Sequence, residues 1–129
     1  MSKKIQIGTD IVSVTRFAKS LATGNFIEKI FHLKEIEYCD QKALSGRIAS
    51  YAARFAAKEA FSKAVGTGLF VQGISPRQIW IENESSGRPV LCFSESVSKF
   101  LIEKGFSFAD VSLSHHEEYA IATVILYSF

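Results

Sequence analysis

Apolar and polar residues alternate at period two across residues 5–12, Ile5-Gln6-Ile7-Gly8-Thr9-Asp10-Ile11-Val12. That pattern predicts a strand with Ile5 and Ile7 on one face. The pattern turns helical over 14–23, and Gly24 is placed to end that helix. Residues 26–44 read as two short helical pieces, the second carrying Ile36, Cys39 and Ala43 on a common side. The clearest signal spans 46–65, which is rich in alanine, lacks proline and stops at Gly66-Thr67-Gly68; it predicts one long helix. Strands are predicted over 78–83 and 90–93, joined as a hairpin by Glu84-Ser85-Ser86-Gly87-Arg88-Pro89. Ser94 is suited to cap a helix running to about Lys104, with Gly105 just beyond its end. Two last strands, 110–114 and 119–127, flank a polar loop, His115-His116-Glu117-Glu118. With no internal repeat, linker or low-complexity stretch, the order predicts one α+β domain over 1–129. Its expected form is a mostly antiparallel sheet packed on one long central helix, with shorter helices around it.

Composition narrows the function classes. The 129 residues are 47% hydrophobic, enough for one core. A net charge of +2 is far from the dense basic stripe of a duplex-binding protein, so no nucleic-acid partner is expected. Cys39 and Cys92 lie far apart among apolar neighbours and match no metal-ligand spacing, which predicts two buried free thiols. Met1-Ser2-Lys3-Lys4 leads straight into the first strand without an apolar signal core, and no apolar run approaches the roughly 20 residues of a membrane span. The expectation is a cytoplasmic protein with no membrane association, kept in reducing surroundings.

On a wheel of 3.6 residues per turn, Arg47, Tyr51, Arg54, Lys58 and Ser62 form one stripe of the long helix. Ile48, Ala52, Phe55 and Glu59 form the next, with Lys63 one turn beyond Glu59. Glu59 thus extends an apolar row, and a carboxylate there must be paired or bound to a metal. One reading is an i,i+4 ion pair from Glu59 to Lys63, worth a few tenths of a kcal/mol. The other makes Glu59 a metal ligand and Lys63 a phosphate contact, which requires a second carboxylate. Asp10, a poor strand former near the end of an apolar strand, supplies one unless it only caps a turn or the next helix. Two carboxylates and a ligand's phosphate oxygens suit magnesium. Adjacent His115 and His116 make a weak zinc signal. Gly66-Thr67-Gly68 is either a helix end alone or, beside Arg54, Lys58 and Lys63, a backbone cradle for a pyrophosphate.

Taken together, these stretches resemble the holo-acyl-carrier-protein synthase family, the small single-domain 4′-phosphopantetheinyl transferases. The similarity is carried by Ile7-Gly8-Thr9-Asp10-Ile11-Val12 with Arg16 and Phe17, and by the run from Arg54 through Phe55-Ala56-Ala57-Lys58-Glu59-Ala60-Phe61-Ser62-Lys63 to Ala64. Gly66-Thr67-Gly68, Gly87-Arg88-Pro89 and Ser112-Leu113-Ser114-His115 complete it, in the family's order. The resemblance implies that Asp10 and Glu59 are magnesium ligands and that Lys63 is a catalytic lysine beside the pyrophosphate. It further implies that Arg54, Lys58, Gly66, Thr67, Gly68, Pro89, Ser114 and His115 contact coenzyme A, and that Arg16 meets an acidic acyl carrier protein. Relatives of this size are usually trimers with sites at subunit interfaces, which is carried over as an expectation. His116 stands where relatives commonly have threonine, and the basic cluster ahead of the long helix is reduced to Lys42 and Arg47.

The reaction so implied is attack by a carrier serine on the β-phosphorus of coenzyme A, releasing adenosine 3′,5′-bisphosphate. The proton acceptor is either a water held by the metal between Asp10 and Glu59 or Glu59 itself. A phosphate-gripping module without chemistry is the rival from another class, but it leaves Asp10 and Glu59 to repel its own ligand. An interaction protein with only surface ion pairs is the second rival.

Overall fold

The computed structural model describes residues 3–67 and 73–129. Its elements are β1 (Lys4–Ser13), α1 (Val14–Leu21), α2 (Phe26–Ile30), α3 (Leu33–Asp40), α4 (Leu44–Val65), β2 (Ile79–Asn83), β3 (Pro89–Phe93), α5 (Glu95–Glu103), β4 (Phe108–His116) and β5 (Tyr119–Ser128). A 3-10 turn, Pro76–Gln78, precedes β2. The architecture is α+β. A three-stranded antiparallel sheet in the order β1-β5-β4 and a separate β2-β3 hairpin surround α4.

The long helix has no intrinsic reason to stop before Gly66, whose φ of +92° ends it in a left-handed cap that glycine adopts without cost. Its alanines, Ala52, Ala56, Ala57 and Ala60, are fully buried. Opposite them β5 places Ala120, Ala122, Val124 and Leu126, also fully buried, on alternate positions as the pleat demands. Small side chains on both surfaces let helix and sheet approach closely. Gly8 marks the tightest point: a Cβ there would lie 2.0 Å from the Ala60 carbonyl oxygen and 2.6 Å from the Ala64 nitrogen. Two hydrophobic clusters result, one around Phe61, Ile79, Ile81 and Val97 and one around Phe17, Phe31 and Tyr51. Val12 and Leu113 pack against both.

Several boundaries differ from the sequence expectation for physical reasons. Helix α1 ends at Leu21, and Gly24 lies in the following turn rather than at its end. Ala43 caps the start of α4 and so does not share a face with Ile36 and Cys39. The expected 115–118 loop shrinks to a turn of Glu117 and Glu118. His115 and His116 continue β4, paired with Ala120 and Tyr119, because Glu117 adopts a φ of +51° that lets the chain reverse sharply. Both cysteines are free, but only Cys39 is buried; Cys92 is partly exposed.

Candidate active site

Asp10 sits near the end of β1 and Glu59 in the fifth turn of α4, and both line one cleft of about 530 Å³. Arg16, Ser13 and Ser20 of the β1–α1 region share that cleft, with Phe17 and Phe55 as its apolar wall. The two carboxylates feel each other. Burial raises the Glu59 carboxyl above its ordinary range, and the negative charge of Asp10 raises it further, against an opposing pull from Lys63. A half-buried like-charged pair of this kind is costly alone and is relieved by a cation.

Lys63 reaches across from α4 to β1. Its ammonium donates to Asp10 Oδ1 at 3.0 Å and to the Thr9 carbonyl at 3.1 Å. The i,i+4 pairing with Glu59 is therefore not the contact formed; Lys63 chooses Asp10. The lysine side chain remains 57% exposed, so its end can swing to an anion without breaking any packing. Among the described residues no group of three His, Cys, Asp or Glu side chains could hold a metal. The chain thus offers two hard oxygen ligands, which fits magnesium completing its shell with phosphate oxygens and water, and gives no support to a zinc site at His115 and His116.

A second pocket of about 260 Å³ lies toward the start of α4, lined by Tyr38, Lys42, Ser50, Arg54, Asn83, Gly87, Pro89 and His115, among others. Three of the residues expected at coenzyme A, Arg54, Pro89 and His115, come together here. Arg54 is anchored by Ser50 Oγ at 2.8 Å and Asn83 Oδ1 at 2.7 Å, with its guanidinium 4.3 Å above the Tyr38 ring. Gly66 and Thr67 lie elsewhere, twelve residues and about 18 Å further along the helix from Arg54. Ser62 there donates its hydroxyl to the Thr67 carbonyl. Gly68 falls outside the described residues. Ser114 is exposed on the outer face of β4, opposite Ile121 and in register with Ile11.

Lys58 corrects the sequence expectation. Its side chain is 1% exposed, and its ammonium donates to Glu35 Oε1 at 2.8 Å, to the Pro76 carbonyl at 3.0 Å and to the Ile79 carbonyl. All three donors are spent inside the protein, so Lys58 presents nothing to a phosphate. Burial pulls its pKa down, and Glu35 pushes back. Glu35 in turn accepts the backbone N–H groups of His32 and Ile81, each at 3.0 Å. Sequence reading missed Glu35, Tyr38 and Asn83. Glu35 sits on an apolar helical row much as Glu59 does, and that signal could have singled it out.

Comparison with known proteins identifies the family. Residues 6–124 match the model of the 4′-phosphopantetheinyl transferase superfamily. The chain is 42% identical to the holo-[acyl-carrier-protein] synthase of Ruminiclostridium cellulolyticum, covering 93% of this chain and 90% of that one. It is 45% identical to the synthase of Cytophaga hutchinsonii, covering 92% and 94%. Among solved structures, a Bacillus anthracis holo-(acyl-carrier-protein) synthase in complex with CoA (3′,5′-ADP) superposes with a TM-score of 0.83 at 34% identity, covering 99% of this chain and 100% of that one. The Helicobacter pylori synthase in complex with coenzyme A gives 0.80 at 30%, covering 93% and 98%. The chain belongs to the holo-acyl-carrier-protein synthase family of the 4′-phosphopantetheinyl transferase superfamily.

Proposed function

We propose that this protein transfers the 4′-phosphopantetheine arm of coenzyme A to a serine of an acidic apo-acyl carrier protein, with magnesium as cofactor and adenosine 3′,5′-bisphosphate as the second product. Synthase relatives solved with coenzyme A support the substrate, and the observation that carries the chemistry is the Asp10–Glu59 pair facing one cleft beside Lys63. Magnesium held by Asp10 and Glu59 would supply positive charge to the pyrophosphate. Lys63 leaves Asp10 for a phosphate oxygen and stabilises the charge that grows as the bridging P–O bond breaks and its electron pair departs with the bisphosphate. The carrier serine oxygen forms the new P–O bond, and its proton passes to the Glu59 carboxylate. Glu59 has no ion pair among the described residues, whereas Asp10 is engaged by Lys63. Arg16, in the same cleft, meets the acidic carrier and orients its serine toward that pair.

The working unit we assign is a trimer. The outer face of the β1-β5-β4 sheet is apolar and exposed, with Ile5 at 68%, Ile7 at 66% and Ile11 at 59%, continued by Ile121, Tyr127 and Phe108. Burial of such a face against copies of itself would also bring Ser114, stranded on that face in one chain, toward a neighbour's site. The test is intact-mass analysis of an apo-carrier protein incubated with coenzyme A and magnesium. A gain of one phosphopantetheine, abolished by EDTA, supports the assignment; binding of coenzyme A with no product would favour a non-catalytic module.

A further inference from the structure

Arg54 is only 3% exposed, yet no carboxylate among the described residues pairs with it. Its Nη1 donates to the Ser50 hydroxyl and, at 3.2 Å, to the Ser50 carbonyl; its Nη2 donates to Asn83 Oδ1; its Nε is buried without a partner. A buried cation held only by neutral groups is costly unless an anion arrives. Asn83 does two things at once. Its Oδ1 accepts from Arg54 at 2.7 Å, and its Nδ2 donates to the Gly87 carbonyl at 3.0 Å, tying α4 to the turn that leads into Pro89. An aspartate of nearly the same shape could hold Arg54 too, but it would neutralise the guanidinium.

We infer that Asn83 is a positioning residue whose neutral amide holds Arg54 in the pocket while leaving its positive charge to the anionic end of coenzyme A. This rests on the coenzyme A reading given above. A merely structural clip predicts the opposite ranking of the KM defects, because Asn83→Ala removes both hydrogen bonds and Asn83→Asp only one.

The decisive comparison is wild type, Asn83→Ala and Asn83→Asp, each measured for Tm, for the KM of coenzyme A and for the KM of the carrier protein. The expected KM for coenzyme A rises about tenfold in Asn83→Asp and less in Asn83→Ala, with a much smaller change in the KM of the carrier. The Tm of Asn83→Asp should equal or exceed that of Asn83→Ala, since Arg54 gains a counterion. A larger KM defect in Asn83→Ala, or a Tm of Asn83→Asp well below that of Asn83→Ala, overturns the inference. Wild-type protein that neither binds nor turns over coenzyme A overturns the underlying reading instead.

Discussion

Glu59 and Lys58 stand one residue apart on α4 and solve opposite problems. Lys58 is a buried cation whose three donors are all satisfied, and Glu35 is a buried anion with a full set of partners. Removing one member leaves the other charged and unpaired, so Lys58→Met should cost about 3–5 kcal/mol in urea unfolding. Adding Glu35→Gln to that variant should recover part of the loss, because the orphaned charge is gone while one acceptor remains. Glu59 instead bears a charge the fold does not compensate. Its carboxyl is raised above the ordinary value of 4.5 by burial and by Asp10, so the folded protein holds that proton more tightly than the unfolded chain does. Ionisation therefore costs stability as pH rises through the raised value. In EDTA, Glu59→Gln should melt at a higher temperature than wild type near pH 8, and the gain should vanish below about pH 4.5, where both folded and unfolded forms are neutral. Equal melting temperatures at pH 8 would show that the site carries no such strain.

At the level of elements, the cleft exists because β1 lies close on α4. Gly8, two residues before Asp10, is the contact where that closeness is set. Gly8→Ala must push strand and helix apart. It should lower stability by about 1–3 kcal/mol and reduce turnover more than the fall in Tm explains, since Asp10 moves away from Glu59. Chemical denaturation and activity assays at a temperature where the variant is folded check both parts. How legible this was in the sequence depends on the element. The long helix and its glycine stop were readable because propensity and a left-handed cap are local properties. The 84–89 hairpin was readable for the same reason. The end of β4 was not, since continuing His115 and His116 in the strand depends on pairing with Ala120 and Tyr119 and on a strained Glu117, both set by the partner strand. Asp10 and Glu59 could be named as candidates, but their meeting in one cleft is tertiary. Lys58 was assigned to coenzyme A by the resemblance, and neither that nor the stripe it shares with Arg54 on a helical wheel can show that Glu35, on another helix, waits at its end.

For the whole molecule, the unresolved tension is between an exposed apolar sheet face and a set of expected ligand contacts spread over separate regions of one chain. Arg54, Pro89 and His115 gather at one pocket, Gly66 and Thr67 at the far end of α4, and Ser114 on the outer face. The proposed self-association through β1 and β5 would answer both. Sedimentation equilibrium should give three times the chain mass, and Ile7→Glu, which puts a charge in the middle of that face, should give monomers with little turnover. A wild-type monomer that is fully active would remove the trimer from the account. The claim beneath everything else is that Asp10 and Glu59 jointly hold a divalent cation against bound coenzyme A. Calorimetric titration of magnesium into the wild-type protein saturated with coenzyme A should show one site per chain. In Asp10→Asn and Glu59→Gln the affinity should fall about 100-fold or more, in step with the loss of turnover. Unchanged magnesium affinity in both variants would contradict it.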